Sequence, residues 1–476
     1  MALSSKIGLF LGPIVFLVVV NLPSPMITEN ADAVIAVALW MIVWWITEAV
    51  SISVTALLPL LLFPLLKIMP MGEVGANYGS PIVFLFFGGF VMALALEKVN
   101  LHKRIALSII KVTGTTPNKV VLGFMIATAV LSMWISNTAS TVVMLPIAMS
   151  VIQLLIKDSD SFTKRDRNFA LSVMLGIAFS ANAGGIATVI GTPPNSVLIG
   201  LLENEYNIEI SFLKWMLIGL PFSIIMIALC YLVLVKLMFP SGTLKFNASK
   251  EIIAEELLKL GPTSKKEKMV LVIFGVTIFM WIFRTVINSV IPNLGLSDTM
   301  ISIFAAISLF AIPFNLKKGN FILEWKDTQK LAWGILILFG GGLALAKGMS
   351  VTGIVDLVAG VIAESDISVL LTATLLIFLM LFMTELMSNV ALVAVLAPVV
   401  AGIAIGLGLP IVYLLIPVTM ASSCAFMLPM ATPPNAIVFA SGYIKVHEMA
   451  KAGILLNILA IILLVGLFQF VLPLLF

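Results

Sequence analysis

Charged residues are scarce in this chain: 11% of its 476 positions, against 61% that are hydrophobic. A water-soluble domain carries about 25% charged residues, so the scarcity excludes a soluble globular protein and indicates a polytopic membrane protein. Cysteine is nearly missing. The two present, Cys230 and Cys424, sit in apolar stretches, which excludes a disulfide framework and leaves them as small buried side chains. Histidine occurs only at His102 and His447, both read as lying in charged loops, so no metal cluster forms from them. The formal net charge of +4 is no nucleic-acid footprint; its information lies in where the charges fall.

The opening run MALSSKIGLFLGPIVFLVVV puts a basic residue before an apolar stretch. No small-x-small cleavage site follows and Pro13 interrupts the run, so it reads as a first spanning helix rather than a signal peptide. Further stretches of roughly spanning length fall near 33–50, 52–69, 80–97, 120–135, 139–156, 169–190, 212–239, 269–289, 299–314, 331–346, 367–387, 390–409, 411–430 and 452–475. If 120–156 and 367–409 are re-entrant hairpins and the rest cross, 23 of the 27 lysines and arginines fall on one side. They include Lys6, Lys103, Arg104, Lys164, Arg165, Arg167, Lys245, Lys317, Lys318 and Lys451. The opposite loops, such as ENEYNIEI and VIAESD, are acidic or neutral. The positive-inside tendency then places the N-terminus in the cytoplasm and the C-terminus outside. The hydrophilic segment 241–268 reads as a cytoplasmic amphipathic linker between two halves.

The halves repeat each other. SMWISNTA (132–139) is answered by TELMSNVA (384–391) and LFFGGF (85–90) by ILFGGG (337–342), both 252 positions later; IGTPPNSV (190–197) is answered by MATPPNAI (430–437), 240 positions later. Each motif alone is weak, and glycine pairs commonly serve close helix packing. The full set, twice and in one order, indicates internal duplication. In the topology above, the first hairpin enters from the cytoplasm and the second from outside, so the repeats are inverted. Inverted repeats with helices broken at matching positions point to a secondary transporter.

The residue types at these breaks suit an anion. Pro193–Pro194 and Pro433–Pro434 remove backbone donors and force the preceding residue out of helical geometry. Each break, and each Ser-Asn tip, leaves free N–H groups at one half-helix end and bare carbonyls at another. The former suit carboxylates and the latter a small cation. Asn137, Asn389, Asn195 and Asn435 both donate and accept, and Ser136, Ser388, Thr192, Thr432 and Thr138 add hydroxyls. No Arg or Lys stands in the four loops, so a dianion there must be offset by helix ends or co-bound cations. Glu48 and Glu385 are read as structural capping groups, Glu97 as a membrane boundary and Lys347 as a lysine reaching to the outer face.

With these residues in view, SNTA and SNVA, GTPPN and ATPPNAIVF, WWITEAVSISVTALLP (44–59) and FGGGLALAKG (339–348) resemble the divalent anion/sodium symporter family of di- and tricarboxylate transporters. The likeness runs from about residue 40 to 445. It implies an all-α, inverted-repeat homodimer with about 11 transmembrane helices and two opposed re-entrant hairpins, working as an elevator. Scaffold helices would occupy 1–119 and 269–350, and transport-domain hairpins and broken helices 120–240 and 351–476, joined by the 241–268 linker. Carried over by position, the resemblance assigns the dicarboxylate to Ser136, Asn137 and Thr138, to Ser388, Asn389 and Val390, and to Thr192 and Thr432. One sodium site would use Ser132, Ser136 and Asn137 with Gly191 backbone; the other would use Thr384, Ser388 and Asn389 with Ala431 backbone. The second tip departs from the first: Val390 stands opposite Thr138 and removes a hydroxyl, and Met387 offers none.

The family contains sodium symporters, cation-independent exchangers and sulfate permeases. Ser132 and Thr384 favour retained sodium sites, and dicarboxylates of four or five carbons are the expected substrates. Sodium is the one coupling ion expected, with no other cofactor and no nucleic-acid partner. Small loops and two cysteines point to a bacterial plasma membrane. An arsenite permease or sodium/proton antiporter would call for a titratable group at the breaks, which the four loops lack; an intramembrane hydrolase would need a base beside its serine; a channel needs no paired hairpins.

Overall fold

The computed structural model describes residues 3–22, 28–114, 116–157, 163–241, 248–315, 319–365 and 367–476. Lys245, Lys317, Lys318 and Asp366, used in the topology argument, lie outside the described residues. Among the described residues the architecture is helical, apart from one antiparallel strand pair, Pro313–Asn315 with Asn320–Phe321.

The first half runs through helices Leu3–Asn21 and Glu29–Thr47, short pieces from Ile52 to Tyr78, and the long helix Pro81–Lys98. The second half offers Lys265–Val290, Asp298–Ala311 and Trp333–Val351. Eight helical stretches are long and apolar enough to cross a membrane. Each glycine-bearing helix is followed by a short amphipathic one, Leu101–Thr113 after Pro81–Lys98 and Ile354–Ala363 after Trp333–Val351. Hydropathy alone reads both stretches as loops. His102 accordingly lies in a helix rather than a loop, buried, with Nδ1 2.9 Å from the Leu96 carbonyl oxygen. The linker also carries a helix, Ala248–Lys259, which packs against Leu101–Thr113.

Each half then places a helical hairpin, Pro117–Ser132 with Asn137–Lys157 and Val369–Met383 with Asn389–Gly406. The first arms have 16 and 15 residues, about 24 Å at 1.5 Å per residue and short of the ~30 Å hydrocarbon core. A broken helix follows each hairpin: Lys164–Gly185 then Pro193–Tyr206, and Ile411–Ser422 then Pro433–Phe439. Packing crosses the repeats. Helix Pro433–Phe439 lies against Asn137–Lys157 and Lys164–Gly185, and Pro193–Tyr206 lies against Asn389–Gly406. Each hairpin therefore leans on the broken helix of the other half.

Ion pairs fasten the rim. Lys98 Nζ lies 2.6 Å from Asp327 and Arg104 Nε 2.6 Å from Glu267. Arg167 Nη2 lies 2.6 Å from Glu448. Lys347 is paired, 3.3 Å from Glu205 in the ENEYNIEI segment. Glu48 is the left-handed C-cap of Glu29–Thr47, and its N–H reaches the Trp44 carbonyl. Cys230 and Cys424 are buried and free.

Candidate functional site

The two Thr-Pro-Pro-Asn motifs begin the second half-helices in the same way. Thr192 (φ −140°, ψ 136°) and Thr432 (φ −141°, ψ 151°) are extended N-caps, with both prolines in the first helical turn. Proline fits there because the first N–H groups of a helix have no partner within it, and it holds the preceding residue extended. The asparagine that follows stitches the break. Asn195 Nδ2 donates to Thr188 O at 2.8 Å and Ile186 O at 3.3 Å; Asn435 Nδ2 donates to Leu428 O at 3.0 Å and Ala425 O at 3.1 Å. Thr188 and Leu428 stand 240 positions apart, as do the asparagines. Both side chains are fully buried, so their amides serve the loops rather than an incoming anion.

The tips are equally matched. Ser132 Oγ donates to Ala181 O at 2.7 Å and lies 2.6 Å from the Asn137 amide. Thr384 Oγ1 donates to Ser422 O at 2.7 Å and lies 2.6 Å from Asn389 Oδ1. Both pairs join a tip to the end of the first half-helix. With its nitrogen inward, Asn137 donates to Ser132 Oγ at 2.6 Å and to Ala181 O and Gly191 O at 3.2 Å each. Turned by 180°, the same amide presents Oδ1, and four neutral oxygens then converge from two side chains and two carbonyls. Hard cations of the sodium type are held by oxygen sets of this sort, with bare carbonyls of unwound helices prominent among them. The close approach depends on Gly191, where an added Cβ would collide with the Gly185 carbonyl oxygen. The donor set therefore fits a sodium ion at Ser132, Asn137, Ala181 and Gly191. In the second half Thr384, Asn389 and Ser422 O supply the corresponding oxygens.

The remaining expected residues fall around these clusters. Ser136 accepts the Ala139 N–H at 3.1 Å, and Ser136 and Thr138 are exposed at the first tip. Ser388 caps Asn389–Gly406 without a side-chain hydrogen bond and, with Val390, is half-buried. Thr192 is buried with no side-chain partner among the described residues, whereas the Thr432 hydroxyl oxygen accepts from Asn182 Nδ2 at 3.0 Å. Ala431 holds its loop through an N–H to Leu428 O at 3.2 Å.

Two groups missing from the sequence-derived site belong beside it. Asn182, in SANAGG, reaches from the first repeat to Thr432, 250 positions away. Asn457, in the apolar part of the last long helix, Val446–Gly466, donates to Glu385 at 2.8 Å. An amide inside an otherwise apolar stretch was the available signal for both. Glu385 also accepts the N–H groups of Phe426 (2.9 Å), Met427 (3.0 Å) and Leu428 (3.0 Å). This is the capping role read from the sequence. The first repeat has Met133 at the matching position, and there the Thr188 hydroxyl donates to the Met133 carbonyl at 2.6 Å. The same junction is thus made by a carboxylate accepting main-chain N–H groups in one half and by a threonine hydroxyl on a main-chain carbonyl in the other.

Comparison with known proteins places the chain. Residues 4–476 match the family described as the sodium:sulfate symporter transmembrane region. The sodium-dependent dicarboxylate transporter SdcS of Staphylococcus saprophyticus is 38% identical over 473 residues, covering 98% of this chain and 91% of the relative. Its Staphylococcus aureus counterpart is 37% identical over the same shares. Among solved structures, the Alcanivorax borkumensis YdaH transporter aligns with a TM-score of 0.58 and 12% identity, covering 84% of this chain and 88% of that one. MtrF of Neisseria gonorrhoeae gives 0.51 and 14%, covering 95% and 97%. Those two likenesses concern the fold alone. By the family match and the staphylococcal relatives together, the chain belongs to the sodium:sulfate symporter family of membrane transporters.

Proposed function

We propose that this protein carries dicarboxylates of four or five carbons across the bacterial plasma membrane, coupled to sodium. The observation that carries the reading is the oxygen cluster of Ser132, Asn137, Ala181 and Gly191, with its copy at Thr384, Asn389 and Ser422. The staphylococcal relatives, named sodium-dependent dicarboxylate transporters, supply the substrate class and the ion.

One carboxylate meets Ser136, Asn137 and Thr138 at the start of helix Asn137–Lys157; the other meets Ser388 and Asn389 at the start of Asn389–Gly406. Thr192 and Thr432 close the site from the two breaks. Helix N-termini offer N–H groups and a positive dipole end to each carboxylate. Val390 puts an apolar face where Thr138 has a hydroxyl, so the second carboxylate receives fewer side-chain donors. Bound sodium supplies the positive charge that the tips lack, and neutral ligands allow release on the far side. Hairpins and broken helices, 120–240 and 351–476, move together as an elevator against scaffold helices 1–119 and 269–350. The protein works as a homodimer, with its N-terminus cytoplasmic and its C-terminus external.

The test is labelled succinate uptake into proteoliposomes under an inward sodium or choline gradient, with empty or malate-loaded interiors. Sodium-dependent uptake into empty vesicles is the expected result. Uptake confined to malate-loaded vesicles and indifferent to sodium would overturn symport in favour of exchange.

A further inference from the structure

Asn182 occupies an unusual place. It sits near the end of helix Lys164–Gly185 in the first repeat, 1% exposed, yet its amide contacts lie in the second repeat. Its Nδ2 is 3.0 Å from Thr432 Oγ1, 3.3 Å from Ala425 O and 3.4 Å from Asn435 Oδ1. The orientation is forced. Ala425 O only accepts, and Asn435 Oδ1 is fixed as an acceptor because Asn435 Nδ2 is already directed at Ala425 O and Leu428 O. The Asn182 nitrogen must therefore face this group, and Thr432 Oγ1 must accept from it.

Thr432 Oγ1 accepts a second hydrogen bond, from the Asn435 N–H at 3.4 Å. A hydroxyl has two acceptor lone pairs and one proton. Both lone pairs are engaged, and among the described residues nothing accepts the proton. Thr192, the matching residue of the other half, has no such constraint. The two threonines have the same backbone and different hydroxyls: one oriented, one free to rotate.

We propose that Asn182 is a positioning residue for the second half of the site, holding the Thr432 oxygen as an acceptor so that its proton is directed to a substrate carboxylate. The inference rests on the reading of Thr432 as a substrate ligand. A carboxylate is purely an acceptor, and hydrogen bonds to it are about twice as strong as neutral ones, so a donor oriented before binding selects the ionised acid. Without the Asn182 amide, one lone pair of the Thr432 hydroxyl loses its donor, and the hydroxyl is free to rotate and present a lone pair to the anion. A residue of one repeat thereby sets the polarity of a ligand in the other.

The test is a double-mutant cycle in proteoliposomes with Asn182→Leu, Thr432→Ala and the pair, reading succinate KM, kcat and the sodium concentration for half-maximal uptake. Asn182→Leu is expected to raise succinate KM about fivefold, the scale of one typical hydrogen bond, with kcat and sodium dependence held. In the Thr432→Ala background it should raise KM no further. Independent, multiplying effects of the two substitutions would overturn the proposal. So would an unchanged KM, or a change spread equally over kcat and sodium dependence, which marks a general packing defect. Asn182→Ala, less bulky, provides the same cycle if the leucine variant does not fold. Should Thr432→Ala alone leave succinate KM unchanged, the assignment of Thr432 to the substrate fails; if only Asn182→Leu is silent, that assignment stands and the positioning role falls.

Discussion

The Asn457 amide donates to the Glu385 carboxylate at 2.8 Å, completing a set of four donors around a charge that has no lysine or arginine among its described partners. The other three are consecutive main-chain N–H groups, so the carboxylate locks the second hairpin to residues 426–428 and to the last long helix at once.

Removing that carboxylate leaves one buried and two partly buried N–H groups, and the buried Asn457 amide, without their acceptor. Unsatisfied buried groups cost about 1–3 kcal/mol each. Glu385→Ala should therefore lower the melting temperature of the purified protein by roughly 5 °C or more and abolish succinate uptake. Glu385→Gln, which keeps one acceptor oxygen, should fall between. A wild-type melting curve for the alanine variant would refute the lock.

Ser132→Ala and Thr384→Ala each remove one oxygen from a proposed sodium cluster while leaving the asparagine in place. Each should raise the half-saturating sodium concentration about tenfold, as expected for roughly 1.4 kcal/mol of lost binding, with a smaller effect on succinate KM measured at saturating sodium. Equal sodium titrations for wild type and both variants would exclude the two clusters as cation sites.

Gly191→Ala tests close approach without changing any polar group. Its new methyl would strike the Gly185 carbonyl, and both glycines are buried beside Asn137. Uptake should fall at least about fivefold, by the 1–3 kcal/mol scale of overpacking. Normal uptake would show that the loop relaxes freely.

Acid sensitivity has a legible source outside the membrane in Asp327. Burial alone would raise the Asp327 carboxyl, but the Glu324 N–H at 2.7 Å and the Lys98 ammonium at 2.6 Å outweigh it and hold its pKa below the ordinary value. A carboxyl lowered in the folded state stabilises fully above its unfolded value of about 3.9 and loses that contribution as pH falls through the folded one. Between pH 5 and 3, wild type should lose more melting temperature than Asp327→Asn. Parallel curves would remove Asp327 from the account.

Much of the site was legible because it is written twice. The Ser-Asn tips and Thr-Pro-Pro breaks fall where their motifs place them, since proline pairs and duplicated polar runs leave a helix few alternatives. The amphipathic helices Leu101–Thr113 and Ile354–Ala363 were hidden because hydropathy over a spanning window averages an interfacial helix into a loop. Asn195 and Asn435 looked like ligands from their motif; only the fold reveals that their amides are consumed by the breaks. Asn182 and Asn457 were missed for the opposite reason: they act across distances of 250 and 72 positions, on partners no local pattern names.

The crossed packing of hairpins and broken helices has a consequence for how the protein is made. Helix Pro433–Phe439 covers Asn137–Lys157, yet lies almost three hundred residues later in the chain. At a synthesis rate of about 5–20 residues per second, helix Asn137–Lys157 waits roughly 15 to 60 seconds before the segment that packs against it exists. A ribosome stalled between the repeats would leave a half-protein whose first hairpin lacks its packing partner.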